Sequence, residues 1–384
     1  MTLKLSRRGQ VPAFTALDVL REANRRAAAG EDIIHLELGQ PSTPAPKPVL
    51  EAARQALGRE TLGYTDACGL PALREAIAAH YRAAYGVVVD PARIVVTTGS
   101  SAGFILAFLA AFDPGDRIAL VSPTYPAYRN ILQALDLVPV ELAAEPQSGY
   151  RATSALLREI EGQVEGLILA SPANPTGAMI GAAELANLVR GCARAGIRLI
   201  SDEIYHGIVY GEHAASAAGD AHAFIVNSFS KYYSMTGWRI GWMIAPPDLV
   251  RAIECLAQNM FISPPALSQH AALAAFSCRD ELDANVARYA ENRALLLEEL
   301  PKAGFRDFAP ADGAFYLYAG IANLSNDSEE FCRRMLKEIG IGATPGTDFD
   351  PERGRGMIRL CFAGATAEIA EAARRLKNWK RSPG

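Results

Sequence analysis

The sequence has no CxxC pair, no Cys/His cluster, no low-complexity tract, no internal repeat and no long apolar run. Each absence removes a class of protein. The six cysteines (Cys68, Cys192, Cys255, Cys278, Cys332 and Cys361) are scattered, which argues against a zinc site and against a thioredoxin-like redox pair. Cysteines dispersed in this way read as small buried hydrophobes or reduced thiols. The longest apolar run, Phe104–Phe112, falls short of the ~20 residues a bilayer requires. The opening stretch MTLKLSRRGQVPAF is basic, but no apolar h-region follows it, so no signal peptide is expected. Positive charge is not in excess: 38 Lys+Arg face 42 Asp+Glu, a net charge of −4 that argues against nucleic acid as a partner. The expectation is a cytoplasmic protein without membrane, nucleic-acid or metal partners.

What is present is ordinary globular composition. Half of the 384 residues are hydrophobic and 21% are charged, which excludes disorder and fibrous folds. The length suits about two domains and a large core that needs no disulfide or structural metal.

The pattern along the chain is that of an α/β protein. After an arm of ~15 residues without periodicity, residues 16–29 show helical spacing that stops at Gly30. Residues 41–48 hold four prolines and read as a linker between domains. From 49 onward, helical stretches (49–57, 70–85, 101–112, 124–134, 183–195) are separated by short β-like runs. These are Ile94–Thr98, Arg117–Ser122, Leu137–Leu142, Gly166–Ala170, Arg198–Asp202, Phe224–Asn227 and Ile240–Ala245. Several are apolar without alternation, as in strands covered on both faces. The expected fold is α/β, with a mostly parallel seven-stranded sheet between two helical layers. Beyond ~280 the pattern changes to a long amphipathic helix (280–300), a strand-like Gly313–Tyr318, a helix (328–339), a strand (Met357–Phe362) and a last helix (366–379), which together read as a smaller α+β domain. The expected division is 1–47 as arm and part of the small domain, 48–280 as the large domain, and 281–384 as the rest of the small one.

Ligands of such sheets bind at the carboxyl ends of the strands, so the residues there matter most. After Ile94–Thr98 come Gly99, Ser100 and Ser101, opening a helix; after Ser122 comes Tyr125; after Ala170 comes Asn174. Asp202 and Tyr205 follow the next run, then Ser228, Ser230 and Lys231, with Arg239 eight residues past the lysine. One cofactor, pyridoxal 5'-phosphate, suits this set. Its phosphate calls for a helix N-terminus with small hydroxyls (Gly99, Ser100, Ser101) and a guanidinium (Arg239). Its aldehyde calls for a lysine, Lys231. Its pyridine nitrogen is kept protonated by a carboxylate, Asp202. Asn174 and Tyr205 suit the ring oxygen, and Tyr125 can stack on the ring face.

Each residue also has a structural alternative. Lys231 could be a solvated lysine, Asp202 an N-cap, Asn174-Pro175-Thr176-Gly177 a turn, Tyr125 and Tyr64 core aromatics, Ser100 and Ser101 caps, and Arg359 half of a surface ion pair. His206 and His213 lie near Asp202 and Glu203 but lack metal-ligand spacing. Gly237–Gly241 is not a dinucleotide loop, because no strand-turn-helix context surrounds it.

The motifs, taken together, resemble the fold-type I, class I/II aminotransferases of the aspartate aminotransferase superfamily. SFSKYYSMTGWRIGW is similar to the family's lysine segment. SPANPTG, SDEIY, GYTDACGLPALREAI, SPTYPAY, DGAFYLY and MIRLCFA match further family blocks, in order, across about residues 33–375. The resemblance implies transfer of an amino group between an L-amino acid and a 2-oxo acid, by a ping-pong mechanism through a Lys231 aldimine. It also implies that Lys231, Asp202 and Tyr205 are catalytic, that Arg359 holds the substrate carboxylate, that Gly39 and Asn174 border the substrate, and that Ser228 binds the phosphate. Tyr64 is implied to reach the neighbouring subunit's cofactor, hence a homodimer. Gly39-Gln40-Pro41-Ser42-Thr43 departs from the family's Gly-Glu-Pro-Asp-Phe, which leaves the preferred amino acid open; Arg21 and Arg25 have no motif support as a second carboxylate clamp. A lyase on the same scaffold, eliminating at a β-carbon–sulfur bond, is the alternative; an amino-acid-binding regulator is a more distant one.

Overall fold

A computed structural model of the chain describes residues 3–379. The first two residues of the arm and the last five of the small domain lie outside the described residues. The strands, in chain order, are β1 (Ile34–His35), β2 (Ile94–Thr97), β3 (Arg117–Ser122), β4 (Val138–Ala143), β5 (Gly166–Ala170), β6 (Arg198–Asp202), β7 (Phe224–Ser228), β8 (Gly241–Ile244), β9 (Tyr316–Gly320), β10 (Ile341–Gly342), β11 (Thr344–Pro345) and β12 (Met357–Cys361).

Seven strands make one sheet in the order β2-β8-β7-β6-β5-β3-β4. Neighbours run parallel except at β8, which is antiparallel to both β2 and β7. Strands β2, β7 and β8 are buried along their whole length, which explains why their sequences do not alternate. One face packs on helices 47–59, 71–85 and 182–195 through Val49, Leu73, Ile77, Leu185 and Leu188. The other packs on helices 99–111, 126–134 and 250–260 through Phe104, Phe108, Leu132 and Ile253. The result is the expected α/β/α sandwich around a mostly parallel sheet. Gly196, at φ +69°, ends helix 182–195 in the left-handed conformation that a helix C-terminus commonly adopts.

Both ends of the chain build a second body of structure. β11, β12 and β9 form an antiparallel sheet, and β1 runs parallel to β10, pairing Ile34 with Ile341. Leu36, Leu296, Phe305, Phe315, Met335, Leu360 and Leu376 share its core. Helix Ser328–Ile339 starts at an Asp327 cap, whose side chain accepts the Glu329 and Glu330 N–H groups at 3.1 and 3.0 Å.

The structure shifts some expected elements and adds others. The prolines of 41–48 run into a helix that already starts at Lys47. Pairing in β9 begins at Tyr316 rather than Gly313. Gly313 lies instead against Pro172 and the Ile208 carbonyl, where an added Cβ would come within 2.4 and 2.8 Å. Helices Ser154–Glu159, Val250–Met260 and Ala266–Ala275 are additional to those the sequence pattern predicts. Among the described residues, no helix is long and apolar enough to cross a membrane, and no cluster of metal-ligating side chains is present.

Candidate active site

The parallel strands β2, β3, β5, β6 and β7 all end on one edge of the large sheet, and a cleft opens there. Because β8 runs the other way, its N-terminal end lies on that same edge. Gly241 pairs with Thr97 on one side and Ser228 on the other. Arg239, two residues earlier, is thereby delivered beside the start of helix 99–111. An added Cβ on Gly99 would sit 2.4 Å from Arg239 Nη2, and one on Gly241 would be 3.0 Å from the Ser100 nitrogen. Only glycines permit this approach, and Gly99 at φ +73° also requires the left-handed conformation. Ser100, Ser101, Ser230, Thr236 and Arg239 line the cleft here, a set of hydroxyls, helix N–H groups and one guanidinium suited to a phosphate. Ser228 is set back from this wall. Its Oγ lies 2.8 Å from Ser230 Oγ and accepts the Ser230 N–H at 3.0 Å.

Lys231 enters from the loop after β7, and its Nζ donates to the Gly39 carbonyl at 2.6 Å. Burial pulls its pKa down to about 8, with Arg359 and Arg239 adding to the fall. Asp202, the last residue of β6, is 3% exposed. Its Oδ1 accepts the Ile204 N–H at 3.1 Å, and its Oδ2 accepts the Tyr128 hydroxyl. Burial raises its pKa to about 6, against the lowering effect of these two donors. Tyr125, after β3, makes edge contacts with Tyr128 and with Phe14 of the N-terminal arm.

The other end of the cleft draws on both ends of the chain. Arg359, on β12, is 1% exposed. Its Nη1 donates to Asn174 Oδ1 at 2.9 Å and its Nη2 to the Glu37 carbonyl and Thr344 Oγ1, while Nε is buried without a partner. The guanidinium lies between two rings, 4.5 Å from Tyr316 and 4.7 Å from Phe349. Since Asn174 gives its carbonyl oxygen to Arg359, its NH₂ is left to donate. The Tyr205 and Tyr316 hydroxyls are 2.6 Å apart. Tyr316 also explains Gly39, because an added Cβ there would be 1.7 Å from the Tyr316 hydroxyl.

Gly39, Ser100, Ser101, Tyr125, Asn174, Asp202, Tyr205, Lys231, Arg239 and Arg359 thus line one cleft, with Gly99 against Arg239. Tyr64 does not reach it and is 83% exposed. Arg21 and Arg25 are not at the cleft; they pair with Asp18 and Glu22 on the first helix. His206 is buried, hydrogen-bonded to the Tyr85 hydroxyl and the Ser171 carbonyl, with its pKa lowered to about 4 by burial. The sequence reading missed Tyr128, Tyr316 and Phe14. The two tyrosines stand inside SPTYPAY and DGAFYLY, but only contacts across the fold reveal what they touch.

Residues 31–376 match the family model for aminotransferase class I and II. The chain is 48% identical, over 99% of each chain, to the valine–pyruvate aminotransferase of Mycobacterium tuberculosis. It matches the crystal structure of an aminotransferase from Mycobacterium tuberculosis with a TM-score of 0.96 at 48% identity, covering 98% of this chain and 99% of that one. It matches the Thermus thermophilus aspartate aminotransferase with maleate with a TM-score of 0.92 at 31% identity, again covering 98% and 99%.

Proposed function

The chain belongs to the class I and II aminotransferases, and from that premise we propose that it binds pyridoxal 5'-phosphate through Lys231 and transfers amino groups from aliphatic, monocarboxylic L-amino acids. The fit of the cofactor rests on the cleft itself. A cradle at Gly99 too tight for a Cβ, with Arg239 beside it, suits the phosphate. A mostly enclosed amine suits the aldehyde, and a buried carboxylate suits the ring nitrogen. The bound cofactor supplies an aldehyde carbon for the amino group and a ring that spreads the charge left when the α-proton departs.

The chain's own groups do the rest. Arg359 takes the substrate carboxylate, with Tyr316 and Phe349 fixing the plane of its guanidinium. Asn174 orients Arg359 through its carbonyl oxygen and presents its NH₂ to the cleft. Lys231 Nζ, made less basic by burial, carries the proton away from the α-carbon. Asp202 holds the ring nitrogen's proton. Ser100, Ser101, Ser228, Ser230 and Arg239 serve the phosphate end, with Ser228 acting through Ser230.

The observation that carries the substrate class is the lining of the cleft. Phe14, Leu38, Tyr125, Ile131 and Tyr316 line it, and Arg239 and Arg359 are its arginines among the described residues. With Arg239 at the phosphate and Arg359 at the α-carboxylate, the described residues lining the cleft offer no further guanidinium for a second substrate carboxylate. The 48% identical relative is named for valine and pyruvate, each with one carboxylate. A panel of amino donors with pyruvate or 2-oxoglutarate as acceptor tests this. Valine or alanine with pyruvate should lead in kcat/KM; a lead for aspartate with 2-oxoglutarate overturns it. Accumulation of pyridoxamine phosphate on adding donor alone separates transfer from elimination.

We also propose a homodimer in which Tyr64 completes the neighbour's phosphate site. Exposed Tyr64, Met260 and Ile262 support this, since Thr65 and Ser263 are hydrogen-bonded at 3.3 Å and bring the two segments together. Light scattering reads the mass directly, and a monomer at micromolar concentration overturns the proposal. The same reading divides the chain into a cofactor body, 48–280, and a smaller body from 1–47 and 281–384. Six free cysteines accord with the cytoplasm, where thiols stay reduced.

A further inference from the structure

The Asp202 carboxylate has two donors of different kinds. The Ile204 N–H belongs to the same turn and comes with the backbone. The Tyr128 hydroxyl comes from another element, helix Pro126–Ala134 after β3, 74 residues away in sequence. Tyr128 is 2% exposed and held by rings on two sides. Its centroid is 5.1 Å from Phe104 and 5.3 Å from Tyr125, both edge-on. A ring so fixed also fixes the position of its hydroxyl oxygen, and Asp202 Oδ2 is the acceptor within its reach.

We propose that Tyr128 is a positioning residue for the reaction: its hydroxyl keeps Asp202 an oriented carboxylate, and it joins that carboxylate to the ring of Tyr125. The inference rests on the reading that Asp202 faces the cofactor's ring nitrogen. A buried carboxyl is driven toward its neutral form by desolvation, and donors to its oxygens oppose this. The other charged and titratable groups facing Asp202 are Glu203 from its own strand end, which disfavours its charge, Lys231 from the loop after β7, which favours it, and the hydroxyls of Tyr125 and Tyr205. Tyr128 is the side-chain donor among them that meets a carboxylate oxygen. Without it, Asp202 keeps a proton to higher pH. A protonated Asp202 no longer stabilises the charged ring nitrogen. The ionised form predominates above the carboxyl's pKa, so loss of Tyr128 moves the acid limb of activity upward in pH.

The test is Tyr128→Phe, which removes one oxygen and keeps the ring packing, made alone, beside Asp202→Asn, and as the double variant. Loss of one charge-assisted hydrogen bond predicts a fall in kcat of about ten- to a hundredfold. KM for the amino donor should stay within about twofold, since substrate grip lies with Arg359. The acid limb of the kcat profile should rise in pH. In the cofactor-free protein at neutral pH, the infrared band of protonated buried carboxyls, to which Glu203 contributes in every variant, should grow in Tyr128→Phe over the unsubstituted protein, and this increment should be absent when the double variant is compared with Asp202→Asn. On the Asp202→Asn background, adding Tyr128→Phe should cost less than about twofold, because the two act as a unit. An unmoved acid limb, no growth of that band, or an equal loss on both backgrounds overturns the inference while Asp202 keeps its role. Full turnover by Asp202→Asn alone instead removes the premise that Asp202 serves the ring nitrogen, and Tyr128 falls with it.

Discussion

Lys231 Nζ donates a 2.6 Å hydrogen bond to the carbonyl of Gly39, joining the loop after β7 to the segment after β1. The Lys231 amine is therefore held by the backbone of a segment 192 residues earlier in the chain. The bond fixes where Nζ waits. Burial and two nearby arginines fix how readily it loses its proton.

A lysine with its pKa lowered to about 8 holds a neutral amine at pH values where an ordinary lysine is charged. The rate at which cofactor-free protein captures pyridoxal 5'-phosphate should therefore rise with pH around a midpoint near 8, followed by stopped-flow absorbance. A midpoint above 10 contradicts the depressed amine. Lys231→Ala should lose at least ~10²-fold in kcat, the lower range for acid–base assistance, and also the covalent cofactor spectrum.

Arg359→Lys keeps the charge but loses the planar fork of the guanidinium, which also holds Asn174 Oδ1 and the Glu37 carbonyl. It should lower kcat/KM for amino acids by about ten- to a hundredfold, the worth of one or two charge-assisted hydrogen bonds. An amine with no carboxylate should be processed at an unchanged rate. Equal losses on both substrates would show that the arginine supports the fold rather than the substrate.

Gly39→Ala forces a Cβ to within 1.7 Å of the Tyr316 hydroxyl. Overpacking of this kind costs about 1–3 kcal/mol, read as a lower thermal midpoint. Tyr316→Phe removes the nearest atom and should return part of that loss in the double variant. No recovery would mean that the backbone, not Tyr316, carries the clash.

Asp327→Ala removes the acceptor for two N–H groups at the start of helix Ser328–Ile339. About 1 kcal/mol should be lost in chemical denaturation, typical of an N-cap. Catalysis should not change, because Asp327 is not part of the cleft. A parallel loss of kcat contradicts the independence of this cap from the site.

The sheet could be read from the sequence where burial on both faces left short apolar runs, as in Gly166–Ala170 and the Phe-Ile-Val that opens Phe224–Asn227. Reading failed where tertiary packing overrides local pattern. Ala-Phe-Tyr-Leu-Tyr after Gly313 reads as one strand from the glycine on, yet Gly313 pairs elsewhere: its N–H donates to the Gly177 carbonyl at 2.9 Å and it bridges Val209. Asn292 stands fully buried within the long helix, because its amide donates to the Phe362 and Gly364 carbonyls at 2.9 and 3.0 Å. Within the cleft, residues that follow a strand end could be located from order alone. Tyr128 and Tyr316 could not, since each acts on a residue 74 or 111 positions away.

The cleft draws its two grips from different stretches of chain. The groups proposed to hold the cofactor all lie between Gly99 and Arg239, whereas the proposed carboxylate clamp is Arg359. During synthesis, every group that would hold the cofactor therefore leaves the ribosome more than a hundred residues ahead of the group that would hold the substrate. A chain truncated before β12 would keep the first set and lack the guanidinium of Arg359.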